Sequence, residues 1–219
     1  YTMNGHPVSA VESTKDLGIV VDETCSPSEH IAAITKKANG VLSQLKRTLI
    51  CRNKDVTLNL FKIFVRPILE SAGVAWSPWE RKDVDAIEKV QRRATRLVPG
   101  FDSMSYEDRL KICEMTTLEQ RRERGDMIQV YKMLNGFINM DNERFFSFSS
   151  QRHNIPTRSV LNENLVSEKC RLEIRRNFFT NRVVNRWNAL PMDVRYAACV
   201  NNFKNNYDDW ICNSAANFI

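Results

Sequence analysis

Glycine and proline are scarce in this chain, with only seven of each among 219 residues. Residues that break helices and form tight turns are therefore few. Leu, Ile, Arg, Lys, Glu and Asn are frequent instead, and 42% of the residues are apolar, enough to bury a core in a chain of this length. We therefore predict a globular, mainly α protein rather than a disordered one.

Long apolar runs are also missing. No stretch approaches the roughly 18 consecutive apolar residues that a membrane-spanning helix needs, so we expect no membrane partner. The first residues lack the basic segment followed by an apolar segment that marks a signal peptide. Because the chain begins with Tyr1, we interpret it as a fragment of a longer, intracellular protein.

The cysteines and histidines lack the spacing of a metal site. The six cysteines include no C-x-x-C pair, and the histidines do not complete a zinc-site spacing with them, which argues against a zinc knuckle. We expect reduced, mostly buried thiols. His30 stands near a predicted helix start and is expected at the surface or near the cap; His6 and His153 are isolated.

Signatures of catalysis are absent as well. The sequence has no G-x-S-x-G, no H-E-x-x-H and no glycine-rich phosphate loop, which argues against a stand-alone enzyme. Tyr207-Asp208-Asp209 superficially resembles a polymerase motif, whose carboxylates hold two metal ions about 4 Å apart. Its neighbours repeat with helical periodicity, and a helix turns successive residues about 100° apart. We therefore predict neither a catalytic residue nor a cofactor here.

Helical patterns cover most of the chain. Ser26, Pro27 and Glu29 predict a helix start with a capping box, and Pro67 should kink or end the next helix near Arg66. The first helix should bury one apolar stripe: Ile31, Ile34, Ala38, Leu42, Leu45 and Leu49. Further helices are predicted over residues 83–98, after Ser105, and over residues 117–135 and 200–211. The helix over 83–98 should start at an Asp83 cap and bury Val84, Ile87, Val90, Ala94 and Leu97.

Three other segments have their own patterns. Residues 1–22 predict a β-hairpin, from the N-G at Asn4 and the β-branched run that follows Leu17. Residues 137–170 predict an irregular connection with a strand pair around 155–165. Helical spacing then returns, with Phe178, Phe179, Val183 and Trp187 as an apolar core stripe. In W-N-A-L-P we expect Trp187 to anchor the helix, Asn188 to end it and Pro191 to begin the next segment.

The net charge of +6 is concentrated in two segments. Residues 28–66 hold eight Lys or Arg against two Asp or Glu, and residues 151–186 hold eight against three. Basic helix faces beside aromatic residues suit nucleic acid, although a solvated face is the plain alternative. The candidate binding residues are Lys36, Lys37, Lys46, Arg47, Lys89, Arg92, Arg93, Arg96, Arg175, Arg176 and Arg182. In contrast, we expect Arg121, Arg122 and Arg124 to pair with acidic residues within their own helix.

Six motifs in fixed order form a recognisable set. They are K-D-L-G-I at 15–19, W-S-P at 76–78, I-E-K-V-Q-R-R-A-T-R at 87–96, Y-E-D-R-L at 106–110, R-V-V-N-R-W-N-A-L-P at 182–191 and F-K at 203–204. The set resembles the segment behind the polymerase palm in reverse transcriptases of non-LTR (LINE-type, jockey-like) retrotransposons. The resemblance extends from about residue 1 to about residue 210.

This resemblance implies a domain organisation and a role. Residues 1–27 would be a primer-grip-like hairpin with Leu17 and Gly18 near the primer, residues 28–98 a thumb-like helical bundle, and residues 99–219 a helical post-thumb domain. The chain would grip RNA, DNA or an RNA–DNA hybrid beside the palm and finger regions of the same polyprotein, in nucleus and cytoplasm.

Catalysis is expected elsewhere. In the resembled family the catalytic carboxylates and their Mg²⁺ lie upstream, so we expect no polymerase activity from this chain alone. The alternative is a remnant helical protein-interaction module, whose basic faces contact acidic protein or nothing.

Overall fold

The computed structural model describes residues 2–3, 5–7, 9–49, 53–149 and 164–216. These residues are mostly helical with small antiparallel strand pairs, which confirms the mainly α prediction. The chain divides into two compact units, Tyr1–Arg122 and Glu123–Ile219. Unit 1 thus contains the predicted hairpin and thumb-like segments together with residues 99–122.

Two antiparallel hairpins open unit 1. They pair β1 (Thr2–Met3) with β2 (His6–Pro7) and β3 (Ser13–Asp16) with β4 (Ile19–Asp22). The second hairpin turns through only Leu17 and Gly18, whose φ angles are 47° and 91°. Positive φ at both central residues is what a two-residue type I′ turn requires. The predicted N-terminal hairpin is therefore confirmed.

The described residues of unit 1 then form six helices, and a seventh begins in this unit. The six are α1 (Ser28–Thr48), α2 (Lys54–Leu60), α3 (Arg66–Glu70), α4 (Gly73–Trp76), α5 (Arg81–Thr95) and α6 (Tyr106–Ile112). A π-helical turn, Phe61–Val65, joins α2 to α3. Pro67 lacks the N–H that a regular helix would use there, and its ring would clash with the carbonyl one turn earlier. The predicted interruption of the helix near Arg66 therefore takes the form of a π-helical turn, which is wider than an α-helical turn.

The start of α1 differs from the predicted capping box. The Ser26 hydroxyl accepts the Ser28 N–H at 3.3 Å, but Glu29 does not return a bond to Ser26. Its carboxylate accepts the Ser13 hydroxyl at 3.2 Å, and the Ser26 N–H donates to Asp22 at 2.9 Å. The hairpin therefore supplies the partners that a local box would have provided.

Helices α1 and α5 run parallel and share the core of unit 1. The Ser28 hydroxyl donates to Asp83 at 2.6 Å near both helix starts, and Arg93 donates to Asn39 at 2.9 Å further along both. Asp83 is therefore not the predicted N-cap, because α5 begins at Arg81 and the buried Asp83 carboxylate binds α1 instead. The apolar stripes of both helices are buried or half-buried, as predicted.

His30 is buried, which corrects its predicted surface position. Its ring packs edge-on against Trp76 at 5.0 Å between centroids, and its Nδ1 accepts the Val20 N–H at 3.2 Å. That hydrogen bond requires the neutral imidazole. Burial lowers the pKa of His30 from its ordinary 6.5, and the charge of Lys15 lowers it further.

We expect His30 to make stability depend on pH. The pKa of His30 is lower in the folded state than in the unfolded state. Its contribution to the free energy of unfolding is therefore complete above about pH 6.5 and is lost as the pH falls through the pKa of the folded state. Thermal melts from pH 7.5 to pH 5 should show a decline that His30→Asn, which keeps an acceptor without titrating, makes shallower. His6→Asn is the matched control. An equal decline in all three proteins would contradict the assignment.

Helix α7 (Leu118–Leu134) has well-formed caps at both ends. At its start, Thr117 and Gln120 exchange side-chain to N–H bonds of 3.1 Å in both directions, a capping box that the sequence reading missed. At its end, Gly136 has a φ of 71°, and the Phe137 N–H reaches the Lys132 carbonyl at 3.0 Å. This Schellman motif confirms the predicted stop at Gly136.

The prediction that the α7 arginines pair within their own helix is wrong for two of them. Arg121 forms a two-bond ion pair with Glu70, and Arg124 pairs with Asp208 at 2.6 and 2.7 Å. Both partners lie on other helices. Tertiary packing brings a carboxylate to each guanidinium in a fork geometry that a neighbour one turn away does not match.

Unit 2 contains the rest of α7 and the C-terminal elements. These are a 3₁₀ turn (Asn142–Arg144), β5 (Ser147–Phe148), β6 (Leu165–Val166), α8 (Glu173–Asn177), α9 (Phe179–Arg182), α10 (Val184–Ala189), α11 (Met192–Arg195) and α12 (Val200–Ala216). β5 pairs with β6 in antiparallel register. Leu165 thus joins a strand pair whose partner strand is β5, and the remainder of the strand pair predicted around 155–165 lies outside the described residues.

The predicted apolar stripe holds at three of its four positions. Phe179, Val183 and Trp187 are buried, but Phe178 is 46% exposed. Phe178 has extended backbone angles and separates α8 from α9, so the segment is not one continuous helix. Phe178 therefore does not join the buried stripe that its helical spacing predicted.

Asn188 has a different role from the predicted helix end. It lies inside α10, whose C-cap is Leu190 before Pro191, and its side chain bonds to Leu165 of β6. The side-chain oxygen Oδ1 of Asn188 accepts the Leu165 N–H at 3.0 Å, and the side-chain nitrogen Nδ2 donates to the Leu165 carbonyl at 2.8 Å. The side chain thus satisfies backbone groups of a short strand. Pro191 begins the next segment as predicted, as the N-cap of α11.

Two further findings concern composition. Of the described cysteines, Cys113 is buried and Cys170 half-buried, whereas Cys25, Cys199 and Cys212 are exposed, so the prediction of mostly buried thiols is wrong for this set. Among the described residues, no helix combines the length and apolar character needed to cross a membrane.

Candidate nucleic-acid interface

One face of α5 carries four exposed cations. They are Lys89, Arg92 and Arg93 of the helix and Arg96, its C-cap residue. The opposite face of the helix is buried in the core through Ile87, Val90 and Ala94. Among the residues that the structure describes, no Asp or Glu forms an ion pair with any of the four cations. The described carboxylates therefore do not compensate the positive charge of this face.

Helix α1 extends this cationic face. The 2.9 Å hydrogen bond from Arg93 to Asn39 marks the side of α1 that adjoins α5. At about 100° per residue, Lys36 and Lys46 lie within about 60° of Asn39 around the helix axis, and Arg47 about 80° away. Lys37 lies about 160° away, although it too is exposed. The structure thus brings three of the four predicted α1 cations towards the α5 face.

The predicted cations of unit 2 are matched by carboxylates. Arg175 pairs with Glu168 at 2.6 Å, and Arg176 pairs with Glu173. Arg182 forms a two-bond pair with Asp126 at 2.9 and 3.0 Å, and both side chains are largely buried. The Arg182 charge is neutralised inside the unit. In contrast to these residues, the cations of α5 have no described carboxylate as an ion-pair partner.

The Tyr207-Asp208-Asp209 sequence lies on α12, as its periodicity predicted. Tyr207 is buried and its hydroxyl accepts a hydrogen bond from Arg186 at 3.3 Å. Asp208 pairs with Arg124, whereas Asp209 is exposed. Among the described residues, no group of three or more His, Cys, Asp or Glu side chains is placed to bind a metal ion.

The tip of the β3–β4 hairpin combines exposure with backbone strain. Leu17 is 95% exposed, and its positive φ costs a residue with a Cβ atom roughly 1–2 kcal/mol. Gly18 has no Cβ atom and adopts a positive φ without that cost. A large apolar side chain held in this way on a projecting turn contributes nothing to the core. Strained residues of this kind concentrate at functional sites.

A buried polar network supports α5, and the sequence reading missed it. The Glu88 carboxylate accepts hydrogen bonds from the Tyr106 hydroxyl, from Gln91 at 3.2 Å and from the Leu118 N–H at 2.9 Å. Burial raises the pKa of Tyr106, and the hydrogen bond to Glu88 raises it further. Leu118 is the first residue of α7. The network therefore joins α5, α6 and the start of α7.

Arg109 of α6 adjoins this network. Its side chain is only 2% exposed, and its guanidinium lies over the Tyr106 ring, 5.5 Å from the centroid. The Arg92 guanidinium also lies over that ring, at 4.8 Å. Burial lowers the pKa of Arg109, and the neighbouring charge of Arg96 lowers it further. Arg109 falls in the Y-E-D-R-L motif, but no residue pattern marked it as buried.

Comparisons with known proteins do not extend this description. No protein-family model, no curated protein and no solved structure matches the chain.

Proposed function

We propose that this chain is a non-catalytic, nucleic-acid-binding segment of an RNA-directed DNA polymerase of a non-LTR retrotransposon, where it grips the template–primer. The observation that carries the proposal is the row of exposed cations on α5 that no described carboxylate compensates. Lys and Arg on one rigid face neutralise phosphates and release counterions.

The dimensions of this face suit a duplex. From Lys89 to Arg96 the helix rises by about 10 Å, which is about three steps of 3.4 Å along one nucleic-acid strand. Contacts of this kind go to the phosphates and carry no sequence information. Binding should therefore be general for duplex or RNA–DNA hybrid.

The other parts of the proposal rest on the resemblance. The strained hairpin tip at Leu17 and Gly18 supports a primer-side contact. The palm and finger regions of the same polyprotein would supply the catalytic carboxylates and Mg²⁺. The intact protein would work in nucleus and cytoplasm as a ribonucleoprotein.

Replacing Arg92, Arg93 and Arg96 together by Gln is expected to weaken the salt dependence of hybrid binding. Each neutralised phosphate contributes about −0.9 to the slope of log K against log salt on B-form duplex. The slope should therefore become shallower by about 2 to 3, for unrelated sequences alike. Fluorescence anisotropy with a labelled RNA–DNA hybrid, titrated between about 50 and 200 mM salt, measures it.

The matched control removes the same charge from unit 2, with Arg171, Arg175 and Arg176 replaced by Gln. Its slope should stay close to that of the parent, because Arg175 and Arg176 are already paired with carboxylates. Equal changes in the two triple variants would contradict a binding face on α5. A flat salt dependence in the parent would contradict nucleic-acid binding altogether.

A second candidate function is a helical protein-interaction module. Ile63 and Phe64 favour it, since these neighbours on the π-helical turn are 61% and 52% exposed. Adjacent exposed apolar side chains are typical of protein contact surfaces. This function predicts no measurable hybrid binding at moderate salt, so the same titration separates the two.

A further inference from the structure

Arg109 is a buried cation for which the described part of the chain supplies no anionic partner. Its Nε donates to the Ser105 carbonyl at 3.4 Å and its Nη1 to the Arg92 carbonyl at 3.3 Å, and both distances are long for such bonds. Among the described residues, no carboxylate forms an ion pair with it. A guanidinium has five N–H donors, and both hydrogen bonds that Arg109 makes in the described part of the chain go to neutral backbone carbonyls.

This arrangement is costly for a folded protein. Arginine is almost never fully buried unless it is paired, because removal of its charge from water is compensated only by a well-placed anion. Three other largely buried or half-buried arginines have such an anion: Arg121 has Glu70, Arg124 has Asp208 and Arg182 has Asp126. Arg109 differs from these three arginines because its hydrogen-bond acceptors are backbone carbonyls.

Two other cations adjoin Arg109. Its guanidinium donates to the Arg92 carbonyl. Burial lowers the pKa of Arg109, and the charges of Arg96 and Arg92, which are one turn apart, lower it further. Both are exposed, and no described carboxylate pairs with either. Tyr106 is fixed by its hydrogen bond to Glu88, and its ring supports the guanidinium groups of Arg92 and Arg109. Arg92 and Arg109 thus share the Tyr106 ring, Arg96 follows Arg92 one turn later, and no described carboxylate forms an ion pair with any of the three.

We propose that Arg92, Arg96 and Arg109 form a phosphate-binding site. The phosphate oxygens would accept N–H donors from the three guanidinium groups, whose planar forks match phosphate geometry. Arg92 and Arg96 bring the anion in from solvent, and Arg109 holds it from the protein side. The proposal rests on the proposed function in so far as the phosphate is a phosphodiester of nucleic acid; inorganic phosphate is the other source of the same group.

The first test compares inorganic phosphate with chloride at equal ionic strength and pH. We expect phosphate to raise the melting temperature of the parent chain by about 4 °C or more. Arg109→Lys keeps the charge but loses the fork, and Arg96→Gln loses one donor group. Both variants should lose most of the increase, whereas Arg81→Gln, at the other end of α5, should keep it. An equal increase in all four proteins would overturn the site and indicate a general anion effect.

A second measurement follows Arg109 directly and does not depend on the variants folding. The ¹⁵N resonance of its Nε–H group should shift on addition of inorganic phosphate and saturate, with smaller changes for Arg81. No shift at Arg109 would overturn the proposal. The same spectrum with a short RNA–DNA hybrid identifies the source, since a shift with both ligands indicates a phosphodiester and a shift with phosphate alone indicates the free anion.

Hybrid affinity separates this inference from the proposed function. If the site binds a phosphodiester, Arg109→Lys should weaken hybrid binding about tenfold while leaving the salt slope nearly unchanged, because the net charge is the same. Suppose that the parent chain binds hybrid, that Arg109→Lys binds it equally well, and that phosphate does not stabilise the parent. The phosphate-binding site is then wrong, and the proposed function stands. If phosphate stabilises the chain but hybrid does not bind, the function is wrong and the site stands.

Discussion

Replacing Trp187 by Ala is expected to lower the free energy of unfolding of unit 2 by about 3–5 kcal/mol. The indole is 3% exposed and stacks on Phe203 at 6.1 Å between centroids. Phe203 in turn stacks on Tyr131 at 4.4 Å and on Tyr207 at 6.1 Å. Truncation would leave a cavity beside this aromatic group, in a unit whose whole stability is expected to be on the order of 5–15 kcal/mol.

Urea unfolding followed by far-UV circular dichroism measures the change. Phe178→Ala is the matched control, because this aromatic residue in the same segment is 46% exposed and should cost far less. Unchanged unfolding of Trp187→Ala with a loss of hybrid affinity would mean that the indole stacks on bases. That result would place the binding surface in unit 2.

Glu88→Gln is expected to destabilise unit 1 by about 2–3 kcal/mol, since hydrogen bonds to charged groups contribute about 1.5–3 kcal/mol and an unsatisfied buried donor carries its own penalty. The carboxylate accepts from three donors: Tyr106, Gln91 and the Leu118 N–H. A carboxamide has one acceptor oxygen and would turn an N–H₂ group towards donors. The negative charge near the N-terminus of α7 would also be lost.

Chemical unfolding of Glu88→Gln, Tyr106→Phe and the double variant tests this network as a thermodynamic cycle. We expect non-additivity of at least about 0.5 kcal/mol, because the two side chains are in direct contact. Glu107→Gln, which removes an exposed carboxylate from α6, serves as the charge-matched control. Additive effects, or a Glu88→Gln variant as stable as this control, would contradict the role assigned to Glu88.

Helical periodicity and turn residues correctly predicted the features that depend only on residues close together in sequence. The stripe on α5, including Ile87, Val90 and Ala94, is buried because apolar residues three or four apart face the same side of a helix. The stop of α7 at Gly136 follows from the left-handed backbone that a Schellman motif needs. The exposure of Arg92, Arg93 and Arg96 follows from the same helical geometry.

The features that sequence reasoning missed depend on partners distant in sequence. Asn188 was expected to end a helix, but its amide meets the backbone of Leu165, 23 residues away. Arg124 was expected to pair within α7, but Asp208 lies 84 residues further on. The burial of Arg109 against Tyr106 corresponds to no spacing pattern in α6. No spacing rule reports which side chain the fold will bring to an amide or a guanidinium.

The parallel arrangement of α1 and α5 affects how unit 1 forms. Its two side-chain links, Ser28–Asp83 and Asn39–Arg93, join residues 55 and 54 positions apart. Each link closes a long loop before it gains any contact energy, whereas the β3–β4 hairpin closes through two residues. A hairpin forms within microseconds, but long-range contacts make folding slower. We therefore expect the cationic face shared by α1 and α5 to form after the β3–β4 hairpin, once the intervening helices have ordered.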